Sequence, residues 1–433
     1  MNVRKMVKRL IPRGLFQEIE PAGHLLEAVL FNIIYGFPAR KMKVIGVTGT
    51  NGKTTTSFLI HKMLVEAGYN AGLMTTVGYG VGKDIKMQVH HMTNVPAPEF
   101  MKRLKWMKGQ GVDWLVLETT SHALAQHRVW GVPYSIAVVT NLTHEHLDYH
   151  KTFERYVDAK RRMFRLAQRN AQGRRLGIAN ADDSIAADFA NETENSMLYG
   201  VQAGDVRAED IKLRSDGLSY TAVAGDMTYD ISSHLPGSFN VYNTLAALCV
   251  GRAMGLDKKQ IEQGIAALTG VEGRMTSIDE GQSYSVIVDF AHTPDSFEKL
   301  FKDLRPVVKG KLIVMFGSAG RRDEAKRAIQ GELAGKYADE VIITEEDDRD
   351  IDGVEIMNQI AAGAEKAGKS REKNLFLVHN RTEAIGFAVG RATSADDTVL
   401  LLGKGHEKTI ERADGEHPWD EIGTARDAVR NRP

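Results

Sequence analysis

Residues 43–56 read KVIGVTGTNGKTTT, an apolar run that passes through a glycine-rich turn into Gly-Lys-Thr. That order demands a buried strand, a tight turn and a helix opening at Lys53. Gly46, Gly49 and Gly52 let the backbone come close to an anion, so that several N–H groups converge on it. The turn residues Gly49, Thr50, Asn51, Gly52, Lys53, Thr54 and Thr55 therefore predict a cradle for nucleotide phosphates. Lys53 would bring a point charge to the β- and γ-phosphates, and Thr54 a hydroxyl to Mg²⁺. The strict phosphate-loop pattern has glycine where this chain has Val47, with the extra glycine one residue earlier. A glycine turn without ligand is the rival reading, and the ordered strand, turn, Lys-Thr and helix argue against it.

Short apolar runs at 114–117 and 136–139, each followed at once by polar residues, suit buried parallel strands whose carboxyl ends carry ligands. Residues 213–229 alternate apolar and polar positions and predict an antiparallel meander. After residue 273 come further strand-like runs at 286–289, 311–317, 341–344, 375–378 and 398–403, with helical segments between most of them. The expected fold is α/β. A central phosphate-loop, mononucleotide-binding domain with an antiparallel β insertion spans 41–272, and a Rossmann-like domain spans 273–433. Residues 1–40 form a short helical extension. At 433 residues, more than one core is required.

Charge excludes some classes. Lys+Arg and Asp+Glu balance at 56 each, so nothing points to nucleic acid. One cysteine, Cys249, rules out an intramolecular disulfide framework and fits a reducing, cytoplasmic setting. No apolar run is long enough for a transmembrane segment. The N-terminus carries Arg4, Lys5, Lys8, Arg9 and Arg13 ahead of an apolar stretch at 24–35, but Glu18, Glu20 and Glu27 break any signal peptide. A surface helix docking on the next domain is expected. Peripheral membrane or partner contact through the basic residues is the other reading.

Glu118 closes the strand-like run at 114–117, where a carboxylate could complete a Mg²⁺ shell beside Thr54. The stretch 140–150 reads TNLTHEHLDYH and packs three histidines and two carboxylates into seven residues. By itself that is a transition-metal site or a solvated polar loop.

These residues meet a known family. GVTGTNGKTTT, ETTSHALAQHRV, TNLTHEHLDYH, YVDAKRRMF, LPGSFNVYNTLAA, GVEGRM, VDFAHTPDS, FGSAGRRDEAKR and LLLGKGHE occur in that order from about residue 41 onward. The chain resembles the Mur ligases, ATP-dependent amino acid ligases of peptidoglycan synthesis. It is most similar to the type that adds a third residue to UDP-N-acetylmuramoyl-L-alanyl-D-glutamate. The resemblance implies ATP and two Mg²⁺ ions, with Lys53, Glu118, His146 and Lys160 as catalytic residues. Thr54, Glu118, His146 and Lys160 would hold metal, Lys160 after carbamylation by CO₂. Asn240 and Asn243 would lie on the adenine side, Arg274 and His292 near phosphate, and Asp289 at the ribose. Asn94, Thr120, Gln126 and Arg128 would hold the muramoyl dipeptide, although the family's Thr-Thr-Pro reads Thr93-Asn-Val-Pro96 here.

For the free amino acid, the resemblance implies Arg322, Asp347, Arg349, Gly403 and Glu407, an arginine and a glutamate suiting diaminopimelate. The family's Asp-Asn-Pro-Arg reads Glu346-Asp-Asp-Arg349, and two added carboxylates favour a cationic side chain such as lysine. Only about 40 residues precede the phosphate turn, too few for the family's UDP-gripping domain. A partner protein would supply that grip, or the basic N-terminus would, or the acceptor carries no UDP. Two other readings follow: a related ligase acting on folate, a poly-amino acid or another cell-wall precursor, and a phosphate-loop NTPase without ligase activity.

Overall fold

The computed structural model describes residues 13–88, 92–214 and 217–432. The chain forms two compact units. The first runs to Asp210 and adds Tyr220–Ile231 and Tyr242–Ala267; the second comprises Ile211–Ser219, Ser232–Val241 and the chain from Leu268 onward.

The strands of the larger sheet are β1 (Lys43–Thr48), β2 (Ala71–Met74), β3 (Gly78–Val81), β4 (Asp84–Met87), β5 (Trp114–Glu118), β6 (Tyr134–Val139), β7 (Leu176–Asn180) and β8 (Asn195–Gly200), with β9 (Val206–Arg214), β10 (Gly217–Ala224) and β11 (Met227–Ser233) following. They form one sheet in the order β11-β10-β9-β8-β7-β6-β1-β5-β2-β3-β4. β1 lies between β5 and β6 and is parallel to both, so the phosphate turn leaves the middle of the sheet at its carboxyl edge. β7 and β8 extend the parallel core, and β9 to β11 lie beyond them.

Gly46 does not belong to the turn. It sits inside β1, where a Cβ would come within 2.6 Å of the Met163 sulfur and the Tyr134 ring. Its bare backbone lets the Phe153–Arg169 helix press onto the strand. The helix opening at Lys53 buries Leu59, Ile60, Met63 and Leu64. A second helix, Lys258–Ala266, closes on it through Gly264, whose added Cβ would lie 2.7 Å from the Met63 Cα. The Arg13–Tyr35 helix docks through Asn32, whose amide donates to the Trp130 carbonyl at 3.0 Å.

In the second unit β12 (Thr276–Ile278), β13 (Ser285–Asp289), β14 (Leu312–Phe316), β15 (Glu340–Ile343), β16 (Leu375–Leu377) and β17 (Thr398–Leu402) are ordered β12-β13-β17-β14-β15-β16. Neighbouring strands pair in parallel except β12 with β13. Alternate residues of β14 face opposite layers, as the period of a strand requires. Leu312, Val314 and Phe316 pack with Phe297, Ile356 and Ile360, while Ile313 and Met315 pack with Ile385, Ala388 and Ile422. This is the doubly wound unit expected from the five apolar runs. β12 and the hairpin β18 (Thr409–Arg412) with β19 (Gly415–Pro418) had no distinct apolar signal.

Candidate active site

The phosphate turn is held open from below. Gly49 and Gly52 have φ of +143° and +81°, values that favour glycine. A Cβ on Gly49 would meet the Thr140 hydroxyl at 1.9 Å, and one on Gly52 the Asn243 side-chain oxygen at 2.3 Å. Asn141 clamps Asn51 reciprocally, accepting from its N–H at 2.9 Å and donating to its carbonyl at 3.0 Å. The Thr50 hydroxyl meets the Tyr156 hydroxyl at 2.7 Å. Lys53 folds back, its ammonium donating to the Thr50 carbonyl at 2.6 Å. Gly52 leads into the Lys53 helix, so the turn lies against that helix's N-terminus, where the dipole favours an anion.

Beside it lies a buried carboxylate. Glu118, at the carboxyl end of β5, is 1% exposed. Thr54 donates to both of its oxygens at 3.1 and 3.0 Å. Thr76 adds its N–H at 2.9 Å and its hydroxyl at 3.1 Å. The donor set is oxygen throughout, hydroxyl and carboxylate, which suits Mg²⁺ over softer metals. Among the described residues no three His, Cys, Asp or Glu side chains gather as a metal-holding group. Thr76 had no motif to mark it, only its place just after a strand.

Lys160 reaches the same turn from the Phe153–Arg169 helix. It is 2% exposed, and its ammonium donates to the Gly49 carbonyl at 2.7 Å. Burial, with Lys53 nearby, holds its pKa well below the usual lysine value, against the pull of Glu145 and Glu118. The Tyr156 ring lies 4.7 Å from its nitrogen. His146, at a φ of +59°, is 6.2 Å from the same ring and edge-on to His122 at 4.6 Å. Burial and the neighbouring His146 and His150 lower His122 to about 2, so it is a neutral ring.

The expected acceptor residues adjoin Glu118 on its backbone side. Asn94 donates to the Glu118 carbonyl at 2.9 Å and accepts from the Thr120 N–H and hydroxyl at 3.0 and 3.1 Å. Arg128 donates to the Asn94 carbonyl at 2.7 Å. The Gln126 amide reaches Glu20 at 3.4 Å. Asn243 accepts from Thr56 at 3.2 Å under the turn, while Asn240 donates to the Pro236 carbonyl at 2.7 Å.

The second unit gathers its own set. Asp289, at the end of β13, accepts from the Met275 and Ala291 N–H groups at 2.8 Å each. Burial raises its pKa, and Arg274 opposes that rise. Arg274 stacks over Phe290 at 4.6 Å, and His292 bonds the Phe290 carbonyl at 2.9 Å. Further along the sheet edge, Lys404 is fully buried between Asp347 at 2.9 Å and Glu407 at 2.6 Å. Burial works against its charge, and the two carboxylates more than offset this. Burial pushes Glu407 up, whereas Asp347, also buried, is brought below its ordinary value by Lys404. Arg349, at a φ of +58°, donates to Glu411 at 2.7 Å and to the Gly320 carbonyl. Gly403, at a φ of +104°, leaves room for Glu346, whose carboxylate oxygen is 2.7 Å from where a Cβ would stand. Arg322 is exposed. The two added carboxylates of the Glu346–Arg349 stretch are therefore not bare charges, since Asp348 faces His379 at 3.3 Å.

Comparison with known proteins follows the same division. The model of the Mur ligase middle domain matches residues 47–251, and that of the Mur ligase, glutamate ligase domain, matches 273–405. UDP-N-acetylmuramyl-tripeptide synthetase of Roseiflexus sp. (strain RS-1) is 42% identical over 94% of this chain and 82% of its own length. UDP-N-acetylmuramoyl-L-alanyl-D-glutamate--2,6-diaminopimelate ligase of Bacillus cereus is 37% identical, with the same 94% and 82% covered. A solved structure of a ligase of that second name aligns with a TM-score of 0.63 at 29% identity, covering 95% of this chain and 82% of the other. Folylpolyglutamate synthase of Mycobacterium tuberculosis shares the fold, with a TM-score of 0.74 at 16% identity over 94% and 96% of the two chains.

Proposed function

From the premise that this chain belongs to the Mur ligase family, we propose that it joins an amino acid to a UDP-N-acetylmuramoyl-L-alanyl-D-glutamate-type acceptor at the cost of ATP. It is an ATP-dependent, ADP-forming amide ligase of peptidoglycan synthesis. The contact of Thr54 with Glu118 at the mouth of the phosphate turn carries this reading. A hydroxyl and a carboxylate meet there beside Lys53, where a nucleotide's terminal phosphates would lie.

The acceptor carboxylate attacks the γ-phosphorus of ATP, ADP leaves, and an acyl phosphate forms. The amine of the incoming amino acid then attacks the acyl carbon, inorganic phosphate departs, and the amine loses a proton. Lys53 offsets charge on the transferring phosphoryl group. Asn94, Thr120, Gln126 and Arg128 orient the acceptor, and Arg128 can pair a carboxylate through two N–H groups. Mg²⁺ held by Thr54 and Glu118 would supply further charge stabilisation. Lys160 is suited to carbamylation because its depressed pKa favours the neutral amine, the form that adds CO₂ and releases a proton. The resulting carboxylate, with His146, would serve a second ion. Asn243, Arg274, Asp289 and His292 would serve the rest of the nucleotide.

Arg322, Asp347, Arg349, Gly403 and Glu407 would receive the amino acid. Diaminopimelate fits first, because Arg349 can meet its distal carboxylate and Glu407 its ammonium. Lysine is the second candidate. A cytoplasmic setting accords with the single Cys249, and no helix among the described residues is long and apolar enough to cross a membrane.

The test is phosphate release with UDP-muramoyl dipeptide and a panel of amino acids, with products identified by mass. Amino-acid-dependent release and a tripeptide product are expected. Hydroxylamine should trap the acyl phosphate as a hydroxamate. Nucleotide consumption that ignores every amine, with no hydroxamate, would overturn the reading.

A further inference from the structure

Arg349 is the cation offered above to a second carboxylate on the incoming amino acid, and one edge of its fork is already taken. Its Nε donates to the Glu411 carboxylate at 2.7 Å, and its Nη1 donates to the Gly320 carbonyl. A guanidinium grips a carboxylate through two parallel N–H groups, and the Nε side presents one such pair. Gly320 contributes a backbone oxygen, which stays. Glu411 contributes a side chain that is 41% exposed, against 19% for Arg349. Its carboxylate can therefore swing into water while the guanidinium keeps its place.

The strand that carries Glu411, β18, is fastened without that carboxylate. The Arg349 N–H donates to the Glu411 carbonyl at 3.0 Å, and the Glu411 N–H donates to the Asp347 carboxylate at 2.9 Å. Arg412 adds two bonds to Glu345, at 2.9 and 2.8 Å. β19 pairs along the whole of β18. The Glu411 side chain is thus free to hold or release Arg349 while its backbone stays put. Two carboxylates cannot share one edge of a guanidinium, because each needs the same N–H groups and the two repel. An amino acid with a carboxylate at its far end has to displace Glu411. One whose far end is an ammonium alone does not. We propose that Glu411 is a specificity-determining residue: its carboxylate occupies the edge of Arg349 that a distal substrate carboxylate would take, and so weighs against diaminopimelate while sparing lysine. This rests on the assignment of Arg349 to the incoming amino acid. Glu411 acts through Arg349 and is a positioning residue.

Ligation of diaminopimelate and of lysine, each by the wild type and by Glu411→Gln, tests this. The ratio of kcat/KM for diaminopimelate to that for lysine should rise roughly tenfold in the variant, through KM and not kcat. A wild type that takes lysine alone should accept diaminopimelate once Glu411 is replaced. Glu411→Ala, which leaves no acceptor at the site, should move the ratio the same way. The ratio is taken within one preparation, so a smaller folded fraction does not alter it. In an Arg349→Gln background, Glu411→Gln should leave the ratio where Arg349→Gln alone puts it, a coupling that a purely structural role would not give. Ligation with an unchanged or lowered ratio in Glu411→Gln overturns the inference and leaves the proposed function standing. Ligation of neither amino acid by any form overturns the proposed function, and the inference falls with it.

Discussion

Thr54 donates its hydroxyl to both oxygens of Glu118, from the first turn of a helix to the end of the neighbouring strand. Thr54 and Glu118 would be the residues to hold Mg²⁺ here, and the ion would supply charge stabilisation to the phosphates. Glu118→Gln keeps the shape and removes the charge. We expect kcat to fall by about 10²–10³, with a raised Mg²⁺ requirement and little change in the acceptor KM. Near-normal kcat at ordinary Mg²⁺ would remove the carboxylate from the metal role.

The turn itself has no room for a side chain at Gly52. Gly52→Ala would place a methyl 2.3 Å from the Asn243 oxygen at a φ of +81°. The strain is on the order of 1–3 kcal/mol, and ATP affinity should drop roughly tenfold, read by nucleotide titration of the melting temperature. Wild-type nucleotide affinity would show that the cradle tolerates movement of Asn243.

Lys160→Ala should abolish turnover, with partial return on adding a short carboxylate such as acetate. Wild-type enzyme depleted of CO₂ and bicarbonate should slow and recover when bicarbonate is restored. Unaltered turnover in the variant would refute the carbamate.

In the second unit, Lys404→Met would leave Asp347 and Glu407 buried without their shared cation. A loss of about 3–5 kcal/mol is expected in denaturant unfolding. Adding Glu407→Gln and Asp347→Asn to that variant should recover part of it. No loss would mean that water reaches the pair.

Acid sensitivity has a named contributor. Burial lowers the His61 pKa from 6.5 to about 4. The folded state resists protonation there, so the unfolded chain binds more protons between those values. His61 thus costs nothing above pH 6.5, and stability falls as pH drops from 6.5 toward about 4, by up to about 3 kcal/mol. His61→Leu should show a shallower loss between pH 7 and 4.5 in urea unfolding. An identical slope would rule out His61 as the source.

Much of this was legible from residues alone. The phosphate turn and five strands of the second unit were readable because each buries a short apolar run with polar residues at its carboxyl end. Glu118 was readable for the same reason. What escaped notice depends on contacts distant in sequence. Thr76 reaches Glu118 across 42 positions, and Asn141 holds Asn51 across 90. Neither distance has a local pattern. Gly46 was misread because a glycine that admits a helix and one that admits a phosphate look alike in sequence. Lys404 carries only an ordinary lysine's signal until the fold closes two acids over it.

Asn94 touches Glu118 through its amide hydrogen and Thr120 through its oxygen, while its own carbonyl receives Arg128. On the proposed assignment, this one small residue would link the peptide side of the reaction to the triphosphate side. A replacement there would then register as a defect in both substrates, because slack on the peptide side would pass to the triphosphate side within the span of one residue.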